Sequence, residues 1–449
     1  MGAREKYRKQ RRFYLDGYAQ HPESFTWHYE MLRKLKDIDN NTSSSLSISF
    51  DDTATDAFGR LRVSNPFTLF DSNSRYGYNE DWSRVETGSI SFAYNADEGL
   101  EELNVDATGI GWGIKRTKKY FPYQPGKSLL VLNTFVFGTA QADLTQRVGY
   151  YDNDNGLFVQ LTDTLSFVKR TNISGTPADV VVNQADWNVD KLDGNGPSGY
   201  TFDSTKAQIF WMDIEWLGVG TVRMGFVIDG KFIVCHKFDH ANIITGTYMT
   251  TATLPCTYEM QANTAVSATT LKAICSTVIS EGGYELFGEK QTAHTDIATP
   301  TSFAVANTYY PVVAVSLKSG NLGGTALITN ISMVGLGNGK YYNWRLKEVV
   351  STGITGGSWS GSGIIEANTT ATSVTGGSIV ASGFTSSSNQ GSPVITLDKS
   401  SLFGLQFKSQ NIPEFSIENS IGYVLEAAVS TTSGGEGVYG SIDWQEVVR

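Results

Sequence analysis

Charge is scarce in this chain. Asp, Glu, Lys and Arg make up 18% of its 449 residues, against about a quarter in an ordinary soluble domain. Leucine and alanine do not dominate, whereas Ser, Thr, Asn and Gly abound. This composition excludes a helical enzyme and fits an all-β protein with many turns. Cysteine is nearly absent: Cys235, Cys256 and Cys275 form no C-x-x-C pair and leave an odd count. That excludes a zinc site and a disulfide framework. Three buried free thiols, formed in a reducing compartment, are expected instead. No apolar run reaches the roughly 18 residues of a membrane-spanning helix. The N-terminus has no signal-peptide h-region, so nothing directs Sec secretion. The P-loop, dinucleotide and G-x-S-x-G motifs are missing as well. No catalytic, cofactor-binding or metal-ligating residue is therefore assigned, and no cofactor is expected.

What charge there is lies unevenly. The net charge is −10, yet the first 36 residues are basic, with Arg4, Lys6, Arg8, Lys9, Arg11 and Arg12 opening the chain. The body is correspondingly acidic. Phosphate contacts need cationic groups, so nucleic acid is not expected as a partner over most of the surface. Two helices are predicted in the arm. Tyr7, Arg11, Tyr14 and Tyr18 share a stripe, ended by Gly17 and His21-Pro22. Ser24 can cap a second helix carrying Trp27, Met31 and Leu35 at i, i+4, i+8. Helices this short do not fold alone. The arm, residues 1–45, is read as a docking element, with Tyr7, Arg11, Tyr14, Trp27 and Met31 as assembly contacts.

The stretch Phe50 to Tyr78 organises the rest of the chain. Phe58, Leu61, Val63, Phe67, Leu69 and Phe70 are apolar anchors, broken by Gly59 and Pro66. They hold no single period, so short extended pieces are predicted rather than a helix. Arg60 and Arg62 flank Leu61 in the alternation of a half-buried strand. With Asp71 they are candidates for ion pairs across a subunit contact. The run Asp56 to Ser72, DAFGRLRVSNPFTLFDS, resembles one found in structural proteins of tailed phages, especially marine and cyanobacterial ones. The resemblance implies a virion component of the tail, baseplate, neck or fibre, assembled in the host cytoplasm and released by lysis. It implies other virion proteins as partners and a homo-oligomer, with a trimer favoured by analogy.

The body reads as strands. Leu129 to Phe137 is almost wholly apolar. Phe210, Met212, Ile214 and Trp216 alternate with Trp211, Asp213 and Glu215, and Val222, Met224, Phe226 and Ile228 alternate next. Asp229-Gly230 is a two-residue hairpin signal that returns the chain through Phe232 and Val234. This meander is similar to the concanavalin-A-like or laminin-G-like jelly-roll, over about residues 85–345. From Ser351 to Ser392 the chain becomes Ser/Gly/Thr-rich without Lys, Arg or His, and short strands near Ile364, Val374 and Ile379 are expected. Three regions are thus expected: the helical arm (1–45), a jelly-roll-like β-sandwich (46–345) and a small β domain (346–449). The fold class is mostly β.

Other patterns invite chemistry. Lys115, Arg116, Lys118 and Lys119 beside Tyr120, Phe121 and Tyr123 suggest a lysine-protected edge strand running into a turn at Pro122 to Gly126. Asp152-Asn153-Asp154-Asn155-Gly156 has oxygen donors at alternate positions, but departs from a calcium loop and reads as a hairpin turn. His236, Asp239 and His240 lack a third ligand and read as surface residues. Asp213 and Glu215 share a strand face and are expected in solvent. A structural role in a virion is the main reading, with no enzymatic activity. Host-surface glycan binding is the alternative, with Trp187, Trp211 and Trp216 as candidate glycan contacts on one exposed face. A tail-borne glycan depolymerase is the third, and would need two carboxylates facing across a cleft.

Overall fold

The computed structural model describes residues 55–56, 58–59, 65–285, 287–361, 363–387, 394–396 and 405–448. Contacts divide the chain between Asp51 and Asp52, and everything described belongs to the second unit. The docking arm, with Tyr7, Arg11, Tyr14, Trp27 and Met31, and the pair Arg60 and Arg62 lie outside the described residues. Among those described, regular structure is β-strand, interrupted only by short 3-10 turns.

Two antiparallel sheets build the first sandwich. The front sheet has seven strands in the order Ala178–Asn183, Leu165–Thr171, Gly156–Leu161, Leu144–Tyr151, Cys256–Val266, Gly109–Thr117, Trp82–Gly88. The back sheet runs Lys231–Phe238, Val222–Ile228, Gln208–Ile214, Ser128–Val136, Thr269–Glu281, Leu100–Val105, Ile90–Asn95. Phe67–Asn73 adds an eighth strand on Thr269–Glu281, with a register shift between Thr68 and Phe70. The alternation read from sequence places Phe210, Met212, Met224 and Phe226 between the sheets, fully buried. Each such side chain contributes about 2–3 kcal/mol of burial. The end of the organising stretch is part of this core: Phe70 is buried, 4.9 Å from the Phe121 ring and 5.8 Å from Trp82.

The second sandwich begins earlier than residue 346. Its five-stranded sheet runs Glu289–His294, Gly437–Val448, Thr325–Gly335, Val394–Thr396, with Thr301–Ser302 also on Gly437–Val448. Its six-stranded sheet runs Ile365–Asn368, Tyr310–Leu317, Ile417–Val429, Tyr341–Val350, Ser378–Ser386, with Lys408–Ile412 also on Ile417–Val429. The strands between 289 and 350 thus pair with the last third of the chain and share one core with it. The change of sheets falls between Glu281 and Glu289. The composition break at Ser351 lies inside this module, because it marks exposed strands and turns rather than a new core.

The lysine-rich segment is no protected edge. Gly109–Thr117 runs between two other strands, and Lys115, Arg116 and Lys119 are buried. Their partners come from across the fold. Lys115 meets Glu101 of the back sheet at 2.9 Å. Arg116 donates to the Asn411 carbonyl at 3.1 Å, and Lys119 meets Asp81 at 3.4 Å. The two hairpins read from sequence are present. Asp229 and Gly230 both take left-handed φ, 50° and 74°, as a two-residue turn requires. Asp152 Oδ1 accepts from the amides of Asp154 and Asn155 and closes the other turn.

Candidate functional site

The candidate site lies in the second sandwich, where the edge strand Glu289–His294 of one sheet meets the edge strand Ile365–Asn368 of the other. A groove of about 400 Å³ opens there. Gln291, Thr292 and His294 form one wall, and Ser358, Ser360, Thr369 and Thr370 the other. Trp444 and Ile365, both buried in the core, complete the lining. Strand periodicity explains the first wall. Ala293 turns into the core, so Thr292 and His294 turn outward and are exposed.

The second wall is a loop held by hydrogen bonds. Ser360 and Ala367 exchange both backbone bonds, at 2.9 and 2.7 Å. Asn368, itself buried, donates to the Gly356 carbonyl at 2.9 Å and accepts from the Thr370 amide at 3.0 Å. Backbone approach requires glycine at Gly361, and Gly363 packs against a side-chain carboxylate. A Cβ on Gly363 would fall 2.0 Å from the Glu446 carboxylate, and one on Gly361 2.3 Å from the Ile365 carbonyl.

Among the described residues, no carboxylate, lysine or arginine lines this groove. It offers hydroxyl groups, one carboxamide, one imidazole and an indole. His294 Nδ1 lies 3.0 Å from the Thr295 carbonyl, which fixes the ring. A second depression of about 770 Å³ shares His294 and Thr369, and adds Asp296, Ile297, Val334 and Tyr439. The set suits a polar, uncharged ligand that presents several hydroxyls. It lacks the paired acid and base of glycoside hydrolysis.

A buried carboxylate does occur on the outer face of the front sheet. Glu259 accepts from Arg147 Nη1, Trp112 Nε1 and Tyr151 Oη, each at 2.8 Å. Burial raises its carboxyl, but the Arg147 charge and the Tyr151 hydrogen bond outweigh that and hold it below the usual range. An acid held ionised is unsuited to protonating a leaving group. Its neighbours on the same face of the strand are Thr257 and Gln261. The segment Pro413–Phe415 of the second sandwich lies beside it, with Phe415 5.6 Å from the Trp112 ring.

The residues singled out in the sequence are dispersed. Trp187 is not exposed. It stacks on Phe167 at 4.2 Å inside the first core. Trp211 lies on the outer face of the back sheet, yet is 1% exposed, packed edge-on against Phe232. Trp216 is half-buried against Tyr123. The three line no common surface, because alternation tells which side of a sheet a residue takes and not what covers that side. Asp213 is likewise out of solvent, buried against Arg223, whose guanidinium also donates to the Thr55 carbonyl. Asp71 is exposed on Phe67–Asn73.

His236 and His240 are buried rather than superficial. His240 stacks on Tyr248 at 3.9 Å, with Lys169 Nζ 2.8 Å from its Nε2. Burial pushes the His236 imidazole down to about 4. Cys235 and Cys256 are buried as expected, whereas Cys275 is exposed. Gln291 to His294 and Ser358 to Thr370 carried no motif.

No family model matches the chain, and no curated protein matches it by sequence. Among solved structures it is similar to a protein of unknown function from Shewanella oneidensis MR-1, at 10% identity over 54% of this chain and 99% of that one, TM-score 0.33. A β-glucanase from Bacillus licheniformis matches at 11% identity over 48% and 98%, TM-score 0.29. Lectin I-B4 from Griffonia simplicifolia, in its metal-free form, matches at 13% identity over 48% and 99%, TM-score 0.28. At such scores none of these proteins lends its function to this chain.

Proposed function

We propose that this protein is a non-catalytic binding component that recognises an uncharged glycan through the groove between Glu289–His294 and Ile365–Asn368. The observation that carries the reading is the lining itself. Hydroxyl, carboxamide and imidazole groups surround an indole, with no acid or base pair among the lining residues described. Sugar hydroxyls can exchange hydrogen bonds with such groups, each as donor and acceptor. The setting we favour is the surface of a tailed-phage particle. Its support is the resemblance of the Asp56 to Ser72 run to phage structural proteins, and the assembly role is proposed on that ground.

The test is an array of neutral and charged oligosaccharides probed with the full chain, followed by titration of the best ligand. Neutral glycans should be captured. His294→Ala should weaken binding about tenfold, equivalent to about 1.4 kcal/mol. Thr292→Trp, which fills the groove from an exposed position, should abolish it. An array without neutral hits, or hits indifferent to both variants, would sink the reading.

A further inference from the structure

Two buried histidines fasten one side of the first sandwich, and both do so as hydrogen-bond acceptors. His236 is 7% exposed and His240 1%. The Asn188 amide donates to His236 Nδ1 at 3.3 Å. His240 uses both of its nitrogens. Its Nδ1 lies 2.6 Å from the Gly220 carbonyl. A carbonyl only accepts, so Nδ1 carries the proton. Its Nε2 lies 2.8 Å from Lys169 Nζ. An ammonium only donates, so Nε2 is the acceptor. Each ring therefore holds its place in the neutral form, with one lone pair already engaged.

These bonds join elements that are distant in the chain. Lys169 belongs to Leu165–Thr171 of the front sheet, and His236 to Lys231–Phe238 of the back sheet. Gly220 lies in the loop between Gln208–Ile214 and Val222–Ile228. Asn188 lies in the segment that crosses from Ala178–Asn183 of the front sheet to Gln208–Ile214 of the back. Its carboxamide also donates to the Lys237 carbonyl and accepts from the Lys237 amide, at 2.9 Å each. Tyr248, stacked on His240, donates its amide to the Gly218 carbonyl at 2.9 Å. Trp187, Phe238 and Tyr248, which these segments carry, are part of the first core.

A proton on either ring removes the acceptor. On His240 it also sets a second cation against Lys169, whose ammonium already lies 5.3 Å from the Phe238 ring centre and 5.8 Å from that of Tyr248. The other charges nearby do not reverse this. Asp239, between the two histidines, favours their protonation, and Lys169 opposes it. Asp239 is exposed and also accepts from Thr221 at 3.0 Å. Asp190, on the crossing segment, accepts from the Leu192 and Ser198 amides. Glu215, on the hairpin loop, acts on Tyr248. Burial decides the balance in favour of the neutral rings. We infer that His236 and His240 form an acid-released latch: neutral, they close this side of the sandwich, and on taking up protons they let residues 187–190 and 240–248 open.

Linkage sets the sign. In the open form the rings return to the ordinary histidine value of about 6.5, against about 4 for His236 when closed. The closed form is therefore fully stabilised above the ordinary value and loses stability as pH falls towards the lowered one. The experiment is hydrogen exchange of the full chain at pH 7.5 and at pH 5, corrected for intrinsic rates. Protection at 187–190 and 240–248 should fall about thirtyfold or more between the two, the share expected of His236 alone. Leu144–Tyr151, at the centre of the front sheet, should keep its protection. A double variant, His236→Gln with His240→Gln, has carboxamides that accept without titrating and should exchange alike at both pH values. Lys169→Met relieves the protonated His240 of its opposing cation and should reduce the loss at 240–248. Segments equally protected at both pH values, a loss shared by Leu144–Tyr151, or a loss that persists undiminished in either variant would overturn the inference.

Discussion

At the scale of single residues, the first sandwich is pinned at one edge by a buried charge cluster. Glu101 is fully buried and accepts from Ser74 at 2.7 Å, Arg84 at 2.5 Å and Lys115 at 2.9 Å. Lys115 also lies 4.6 Å from the Trp82 ring centre and 5.5 Å from that of Tyr258. Burial pushes this lysine down to about 8, with Glu101 offsetting part of the shift. The two deletions should differ. Glu101→Gln leaves a buried ammonium without its counter-charge and should cost about 3–5 kcal/mol in urea unfolding. Lys115→Met keeps the Arg84–Glu101 pair and should change stability by about 1 kcal/mol or less. Linkage sets the sign of the pH effect. Lys115 has a depressed folded value, so the native state gives up this proton before the unfolded state does. Its contribution to stability should rise as pH climbs from about 8 towards the ordinary lysine range, and Lys115→Met should lack that rise.

At the scale of elements, much was legible in the sequence, for a local reason. Asp229-Gly230 announces its hairpin because both positions need left-handed backbone, and Phe210, Met212 and Met224 announce their face because strand periodicity is two. What cannot be read locally is the cover on the other face. Trp211 and Asp213 alternate outward as expected and are buried all the same. Pairing across long separations is equally silent: Glu289–His294 joins Gly437–Val448, and no neighbouring residue records it. The groove, made from those edges, was invisible for the same reason. Two glycines separate conformational from steric demand. A Cβ on Gly230 meets nothing within 4 Å, so Gly230→Ala should cost only the left-handed penalty, about 1–2 kcal/mol. Gly225 faces a register shift, and a Cβ there would fall 1.8 Å from the Ile233 carbonyl. Gly225→Ala should therefore lower the melting temperature well beyond Gly230→Ala, as paired thermal melts would report.

At the scale of the whole molecule, the seam between the sandwiches is bridged by polar groups. Lys408, on Lys408–Ile412, is 7% exposed and bridges Glu348 at 2.9 Å and Asp81 at 3.3 Å. Gln406 donates to the Tyr120 carbonyl at 2.6 Å, and the Ser409 amide to the Lys118 carbonyl at 2.9 Å. Asp81, Lys118 and Tyr120 belong to the first sandwich and residues 406–409 to the second. Such bonds couple the two modules, because unfolding either one breaks all of them at once. The parent should therefore melt in a single calorimetric transition near neutral pH. Lys408→Ala removes the cation that joins Glu348 of the second sandwich to Asp81 of the first, and should resolve that transition into two. Acid should do the same to the parent. Burial raises the Asp81 carboxyl, but Lys119 and Lys408 outweigh it and leave the group below its ordinary value. Its stabilisation is complete above the ordinary aspartate range and fades as pH falls through the lowered folded value. Splitting should thus begin below about pH 4 and should be absent in Asp81→Asn, whose transitions would already be separate at neutral pH. Two transitions in the parent at pH 7 would mean that the sandwiches fold independently and that the seam is only a contact.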